Sequence, residues 1–153
     1  MNQKPKKRHI ALQPLSREHH HGLLLSWKIR TGLNKSVETK RIKNYADWFF
    51  KTHLIPHFEM EEAHIFTLLD ENNELIKKAL SDHRRLKRLF TKEEDDAKIL
   101  NKIEEELEKH IRFEERVLFP EIQNVATEDQ LALIEKIHNE DGFNDKLDDE
   151  FWK

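Results

Sequence analysis

The chain has 153 residues, of which 27 are basic and 30 acidic, giving a formal net charge of −3 at pH 7. This length suits one domain with a buried core, and the near-neutral charge balance does not indicate a phosphate-binding surface. Cysteine is absent, which excludes disulfides, thiolate metal sites and cysteine nucleophiles, while scarce glycine, proline and valine favour helix over sheet.

The chain begins with a basic arm, residues 1–13, that we expect to be extended. A solvated tail is the simpler interpretation of its charges, and a nucleic-acid or lipid contact is the alternative. The sequence contains no apolar run of about 18 residues and no signal-peptide core. We therefore expect a soluble, cytoplasmic protein with no nucleic-acid partner and no membrane partner.

A first helix is predicted from about residue 16 to residue 33, with Pro14 just before it and Ser16 as its N-cap. Gly32 and Asn34 mark its end. One face of this helix combines apolar residues and a histidine at helical spacing: His20, Leu23, Leu24 and Trp27.

A second, long helix is predicted from about residue 36 to residue 70. Its apolar stripe also carries polar residues, and its members are Ile42, Tyr45, Phe49, His53, His57, Met60, Glu61, His64 and Leu68. Pro56 lies inside this helix. Because proline removes a backbone hydrogen bond, we expect a bend or a short break just before His57.

Two further long helices follow the turn Glu71-Asn72-Asn73, at about residues 73–90 and 95–123. The stripe of the third helix is Ile76, Leu80, His83, Leu86 and Phe90, and that of the fourth is Ile99, Ile103, Leu107, His110, Glu114, Val117 and Glu121. Thr127 and Gln130 have the spacing of a capping box, which predicts a short fifth helix to about residue 139.

Four long amphipathic helices with short links predict an all-α protein, an up-down-up-down four-helix bundle with a short fifth helix, over residues 14–140. The second and fourth helices would run parallel on a diagonal of the bundle. Residues 141–153 form an acidic C-terminal tail, which the aromatic residues Phe143, Phe151 and Trp152 could attach to the bundle.

One motif, H-x-x-x-E-E, occurs twice, at 57–62 and at 110–115. Residues i and i+4 lie on the same face of a helix, so each copy directs one imidazole and one carboxylate to the same point. With the single histidines of the other two helices, six polar residues then face one level of the core: His20, His57, Glu61, His83, His110 and Glu114.

Burying two carboxylates without compensation costs several kcal/mol each, by general estimates of desolvation. A pair of metal ions would compensate them if each ion took two histidine nitrogens and one oxygen from each of two bridging glutamates. Imidazole and carboxylate ligands with open coordination positions suit iron best, with manganese or zinc as alternatives. The repeated motif therefore predicts two metal ions, held by the six residues above.

The H-x-x-x-E pairs, the two single histidines and the Leu118-Phe119-Pro120 exit resemble the hemerythrin-like family, also called the HHE cation-binding domain, over about residues 14–123. This resemblance implies a non-haem di-iron centre that binds dioxygen or senses oxygen, nitric oxide or iron. The oxygen carriers of the family have a further histidine where this chain has Lys87, and they use an H-x-x-x-x-D spacing on the last helix. We therefore expect a more symmetric site, with reversible oxygen carriage in doubt.

The ligand from the first helix is ambiguous because His19, His20 and His21 are consecutive. His20 shares a face with Leu24 and Trp27 and is our first choice, His19 is the alternative, and His21 should be exposed. His53 and His64 are expected to pack near the site or to support its ligands. Two further acidic residues, Glu62 and Glu115, should face outward or toward helix junctions.

We therefore expect a metal-binding module whose partner is a small diatomic ligand, oxygen or nitric oxide, in preference to an enzyme. One alternative is a di-iron oxidoreductase, such as a peroxidase, an oxidase or a nitric-oxide-related repair protein. The other is a metal-free interaction bundle. Neither a serine-histidine-aspartate pattern nor a glycine-rich phosphate loop is present to indicate another common enzyme class.

Overall fold

The computed structural model describes residues 7–94, 96–138 and 142–153, and these residues form helices without any strand. The first helix is Gln13–Asn34, the third is Glu74–Phe90 and the fifth is Glu128–Ile137. The second and fourth helices are composite. In chain order, the second contains Thr39–Phe49, Phe50–Leu54, Ile55–Met60, Glu61–Ile65 and Phe66–Leu68, and the fourth contains Ala97–Phe113, Glu114–Leu118 and Phe119–Val125.

Neighbouring helices run antiparallel, as cross-helix contacts near their opposite ends show. Between the first and fourth helices, Ser16 contacts Glu115 and Arg30 contacts Glu104. The same reversal relates the other neighbours, through the pairs Glu18–His57, Lys28–Tyr45, Glu62–His83, Phe50–Phe90, Asp82–His110 and Arg85–Glu106. The predicted up-down-up-down bundle is therefore confirmed.

The third, fourth and fifth helices start close to the predicted positions, whereas the second starts at Thr39, three residues later than predicted. Asn73 and Asp96 cap the third and fourth helices through their side chains, and Thr127 forms the predicted capping box with Gln130. The prediction that Ser16 is an N-cap is wrong. The first helix begins three residues earlier, at Gln13, with Pro14 in its first turn, where the missing N–H costs nothing.

The described part of the N-terminal arm is packed, so the expected extended arm is wrong over residues 8–12. Ala11 and Leu12 are buried, and the Arg8 guanidinium donates to the backbone oxygen of Glu115 at 2.6 Å. Residues 1–6 of the predicted basic arm lie outside the described residues. The boundary at residue 13 stays a prediction.

Two of the three π turns in the bundle precede a proline. Phe50–Leu54 comes just before Pro56, and Glu114–Leu118 comes just before Pro120. A proline ring clashes with the carbonyl of residue i−4 and lacks the N–H that would bond it, and a π turn accommodates both effects. The expected irregularity before His57 is present, but the backbone stays helical through it and does not break.

The hydrophobic core consists of two clusters along the bundle. One contains Leu25, Ile29, Phe49, Leu86, Leu107 and Ile111 among its members, and the other contains Leu15, Phe66, Ile76, Leu118 and Phe119 among its members. Each long helix has residues in both clusters, and its buried polar residues lie near the boundary between them. The buried polar level predicted from the sequence thus separates the two apolar halves.

The C-terminal segment, residues 142–153, is non-helical and folds back on the first and second helices. Phe151 is only 2% exposed and lies against Gly32, where a Cβ would come within 2.8 Å of its ring. Buried Lys28 donates to Asp145 at 2.7 Å, and the Tyr45 hydroxyl donates to the same carboxylate. The expected aromatic attachment is therefore present, and the end predicted for the fifth helix, about residue 139, lies outside the described residues.

None of the helices described here combines the length and the apolar character that crossing a bilayer requires.

Candidate metal centre

Two groups of four donor residues lie at the polar level of the bundle, and within each group the donor atoms are within 4.8 Å of one another. We call them half-site one and half-site two. Half-site one contains His19, His57, Glu61 and Glu114, and half-site two contains His83, His110, Glu61 and Glu114. All six residues are buried, and both glutamates belong to both groups.

The structure brings five of the six predicted residues together and replaces the sixth. His20 is exposed on the surface of the first helix, and His19 occupies the expected position. The prediction of His20 followed Leu24 and Trp27, which are themselves 37% and 47% exposed.

The buried face of the first helix includes Leu15, His19, Gly22, Ser26 and Ile29. Two of these residues, Gly22 and Ser26, are small and do not belong to an apolar stripe. Gly22 allows the first and fourth helices to approach closely, because a Cβ there would lie 2.7 Å from Ile111. Glycine and serine at i+3 and i+7 from His19 were the available signal for this face.

The Nε2 atoms of the four histidines face the two shared carboxylates. In half-site one, His57 Nε2 lies 3.4 Å from Glu61 Oε1, and His19 Nε2 lies 3.3 Å from Glu114 Oε1. In half-site two, the matching distances are 3.3 Å from His83 to Glu61 and 2.8 Å from His110 to Glu114. Each carboxylate is thus approached by one imidazole from either half-site.

A carboxylate also accepts from the Nδ1 atom of every one of these histidines. Glu115 lies 2.8 Å from His19, Glu18 lies 2.7 Å from His57, Glu62 lies 2.8 Å from His83 and Asp82 lies 3.0 Å from His110. Because a carboxylate only accepts, Nδ1 must carry the proton and Nε2 is directed at the cluster. This arrangement is typical of metal-ligating histidines.

These four carboxylates were missed as partners of the site. Of the two positions expected for Glu62 and Glu115, outward or toward helix junctions, the second is confirmed, and each accepts there from a histidine of a neighbouring helix. Two sequence signals were available: the second glutamate of each H-x-x-x-E-E motif, and the acidic residue directly before each single histidine, in Glu18-His19 and Asp82-His83.

The remaining histidines and Lys87 lie around the site. His53 packs against Trp48 and Phe49, as expected of a residue near the ligands. His21 is half-buried and stacks on Phe143, so its expected exposure is wrong. His64 is half-buried and lies two residues after the first copy of the motif. Lys87 Nζ lies 3.9 Å from Glu62, which orients His83.

Several buried polar atoms of the cluster have no hydrogen-bond partner within the described part of the chain. They are Nε2 of His19 and of His57 and both carboxylate oxygens of Glu61 and of Glu114. The Nε2 atoms of His83 and His110 lie only 3.1 Å apart, and two neutral rings would direct lone pairs at each other there. Orphaned buried polar atoms are costly, so this geometry calls for cations between the donors.

Without a metal, protons supply this positive charge. Burial and the neighbouring charge of Glu114 raise the pKa of Glu61 to about 8. Burial alone would lower the pKa of His110, but Glu114 and Asp82 raise it to about 10. The carboxylates around His19 and His83 likewise raise the pKa of each imidazole against the effect of burial. Protons and metal ions therefore compete for the same atoms.

Both shared glutamates begin a π turn, Glu61–Ile65 in the second helix and Glu114–Leu118 in the fourth. π turns are rare and are frequent at functional sites. Such a turn shifts the helical register after Glu61 and Glu114. Glu62 and Glu115 lie one residue further on, about 100° around the helix, and reach a neighbouring helix, while the glutamates before them face the core.

The comparison with known families agrees with this geometry. Residues 81–149 match the family model of the hemerythrin HHE cation-binding domain. No curated protein and no solved structure matches the chain. The matched segment holds His83, His110 and Glu114, and the bundle supplies His19, His57 and Glu61 opposite them. The predicted resemblance to the hemerythrin-like family is thus confirmed by the match of residues 81–149 to this family model, and the all-helical bundle is consistent with it.

Proposed function

We propose that this protein holds two metal ions, most suitably iron, and binds or senses a small ligand such as dioxygen or nitric oxide at them, or senses iron itself. The observation that carries the proposal is the pair of four-donor groups sharing Glu61 and Glu114. His19 and His57 would hold one ion, His83 and His110 would hold the other, and the two glutamates would bridge them.

The donor set favours iron among the available metals. Each ion would have two imidazole nitrogens and two carboxylate oxygens, which leaves coordination positions for a small molecule. Manganese and zinc accept the same ligands and are the alternatives. A bound iron pair supplies electrons to a reducible ligand, and two divalent ions with two bridging carboxylates keep a positive charge that favours anionic ligands.

The residues of this chain have three tasks in the proposed function. The four histidines would hold the ions through Nε2. The carboxylates that accept from their Nδ1 atoms, which we call the outer carboxylates, fix the ring orientation and increase the basicity of the ligands. The two apolar clusters keep bulk water away on either side of the polar level. These tasks do not require Lys87, which binds Glu62 at the surface.

A small-molecule oxidoreductase is the second candidate, because a cavity borders His57 and Glu114. Such an enzyme would turn over a peroxide or another small substrate in the presence of a reductant, whereas a carrier or sensor would bind its ligand stoichiometrically. A metal-free bundle is disfavoured by the orphaned donor atoms of the cluster.

Metal analysis of the purified, iron-reconstituted protein, joined to absorption spectra with and without oxygen, tests the proposal. We expect two irons per chain and a spectrum that changes on exposure to oxygen or nitric oxide. A protein that retains no metal after desalting would contradict the proposal. Catalytic consumption of peroxide at a rate that follows iron content would favour the oxidoreductase instead.

A further inference from the structure

A cavity of about 50 Å³ borders half-site one. Its wall includes His19, His57 and Glu114 from the cluster, together with His53 and Phe143. One water needs roughly 10–15 Å³ of such space, so the cavity has room for about three or four atoms the size of a water oxygen. It therefore joins the metal-binding donors to the C-terminal segment through a space suited only to very small molecules.

Phe143 lines this cavity on the side of the C-terminal segment. Its ring stacks on His21 with a centroid distance of 4.1 Å and an angle of 14° between the planes. The ring centroid of His53 is 4.7 Å away, and that of Phe49 is 6.0 Å away. A close aromatic contact on several sides leaves little room for a larger molecule to pass.

The position of Phe143 is fixed by attachments that follow it in the chain. Two residues on, Asp145 accepts from Lys28 and from Tyr45. Lys28 also lies over the ring of Trp152, 4.0 Å from its centroid, and Phe151 is buried in the core. Because these contacts hold the segment on both the first and second helices, the ring of Phe143 is held against His21.

The two half-sites differ in their access to this cavity. Both histidines of half-site one line it, but only His110 of half-site two does so. The ring of His83 is instead stacked on Phe58 at 3.8 Å and lies 5.3 Å from Phe66. A ligand entering by the cavity would therefore reach an ion held by His19 and His57 first.

We propose that Phe143 sets the upper size of the ligands that reach the metal centre through this cavity. The inference rests on the proposed function, since the ligand would bind the ion of half-site one. The ligands are diatomic molecules and linear anions of about three heavy atoms, by the volume argument above. The C-terminal segment is thus a specificity element of the site as well as a part of the fold.

The test measures the association of azide, a three-atom anion, and of the larger chelator acetohydroxamate with metal-reconstituted Phe143→Ala and Phe143→Trp by stopped-flow absorbance. We expect the wild type to exclude acetohydroxamate. In Phe143→Ala we expect azide to associate about tenfold faster and acetohydroxamate to bind. In Phe143→Trp we expect azide to associate about tenfold more slowly. Opposite effects of a smaller and a larger side chain distinguish a size limit from general loosening.

Leu147→Ala is the matched control, because Leu147 lies in the same segment, is exposed and does not line the cavity. Its association rates should equal those of the wild type. Unchanged azide rates and continued exclusion of acetohydroxamate in Phe143→Ala, with two metals still bound, would overturn this inference alone. A wild-type protein that takes up no metal would overturn the proposed function as well, and the metal count separates the two failures.

Discussion

The two half-sites have the same donors and different surroundings. Each has two histidines directed by carboxylates through Nδ1, and each shares Glu61 and Glu114. The histidines of half-site one come from the first and second helices, and those of half-site two come from the third and fourth helices in the same order. In half-site two the ring of His83 packs against Phe58 and Phe66, whereas both histidines of half-site one line the cavity that Phe143 also lines.

The charged partners of the carboxylates that orient the histidines also differ between the two half-sites. The carboxylates that orient half-site two are paired with lysines, Asp82 with Lys78 and Glu62 with Lys87. In half-site one, Arg8 lies 3.7 Å from Glu115, but the second partner of Glu18 is His138, at 3.4 Å. Under the proposed function, this difference predicts that a ligand reaches an ion of half-site one more readily than an ion of half-site two.

Removing the metals should have the largest effect, because it abolishes both half-sites together. At ion concentrations of about 100 times Kd, each ion would stabilise the folded state by about 2.7 kcal/mol, hence about 5 kcal/mol for two. We expect chelation to lower the Tm by more than 10 °C, measured by calorimetry, and re-addition of iron to restore it. A Tm that chelation leaves unchanged would show that folding and metal binding are not coupled.

Glu61→Gln should disable both half-sites with one substitution, since Glu61 belongs to both. We expect the affinity for both ions to fall by more than about a hundredfold, since a bridging anion is lost. The metal-free variant should be more stable than the metal-free wild type, because the buried carboxyl is replaced by a neutral amide. Titration calorimetry and thermal unfolding measure the two effects. Loss of only one ion would contradict the bridging role.

Metal affinity should rise with pH, because metal must displace protons from the cluster. The pKa of Glu61 is raised to about 8 and that of His110 to about 10, both above their values in an unfolded chain. The folded, metal-free protein therefore binds more protons than the unfolded chain, and its stability should fall as pH rises from about 5 to 10. Metal affinity should increase over the same window by about tenfold per pH unit for each proton released.

Competition with a chelator at several pH values measures this slope. Glu61→Gln offers the control, since it lacks one of the titrating groups of the cluster and should show a shallower pH dependence for whatever binding remains. A metal affinity that is independent of pH between 6 and 9 would contradict the proton competition.

Changing the outer carboxylates should have a smaller effect that is confined to one half-site. Asp82→Asn alters the partner of His110, and Glu18→Gln alters that of His57. Each should weaken one ion by about ten- to a hundredfold and leave the other near its wild-type affinity. Stepwise metal titration resolves the two binding events. If either variant weakened both ions equally, the division into half-sites would be wrong.

The bundle and most of its site were predictable because both depend on local periodicity. The spacing of His57 and Glu61, repeated in His110 and Glu114, places a donor pair on one helix face whatever the rest of the fold does. The single histidine of the third helix followed from the same apolar stripe. Such features need only the period of a helix and the assumption of a common core.

The remaining features depend on tertiary packing that periodicity does not contain. The choice of His19 over His20 turns on Gly22, whose small size lets the fourth helix approach that face. The histidine–carboxylate pairs join different helices. The stacking of Phe143 on His21 requires a non-helical segment to fold back across two helices. Long-range contacts of this kind leave only weak traces in a single sequence.

The most direct measurement is the metal content of three reconstituted proteins: the wild type, His19→Ala and His20→Ala. These adjacent substitutions alter the same helix and the same residue type, but only His19 is buried in the cluster. We expect two ions in the wild type and in His20→Ala and about one in His19→Ala, because half-site two remains intact. Equal metal content in the two variants, or a loss in His20→Ala alone, would contradict the two half-sites.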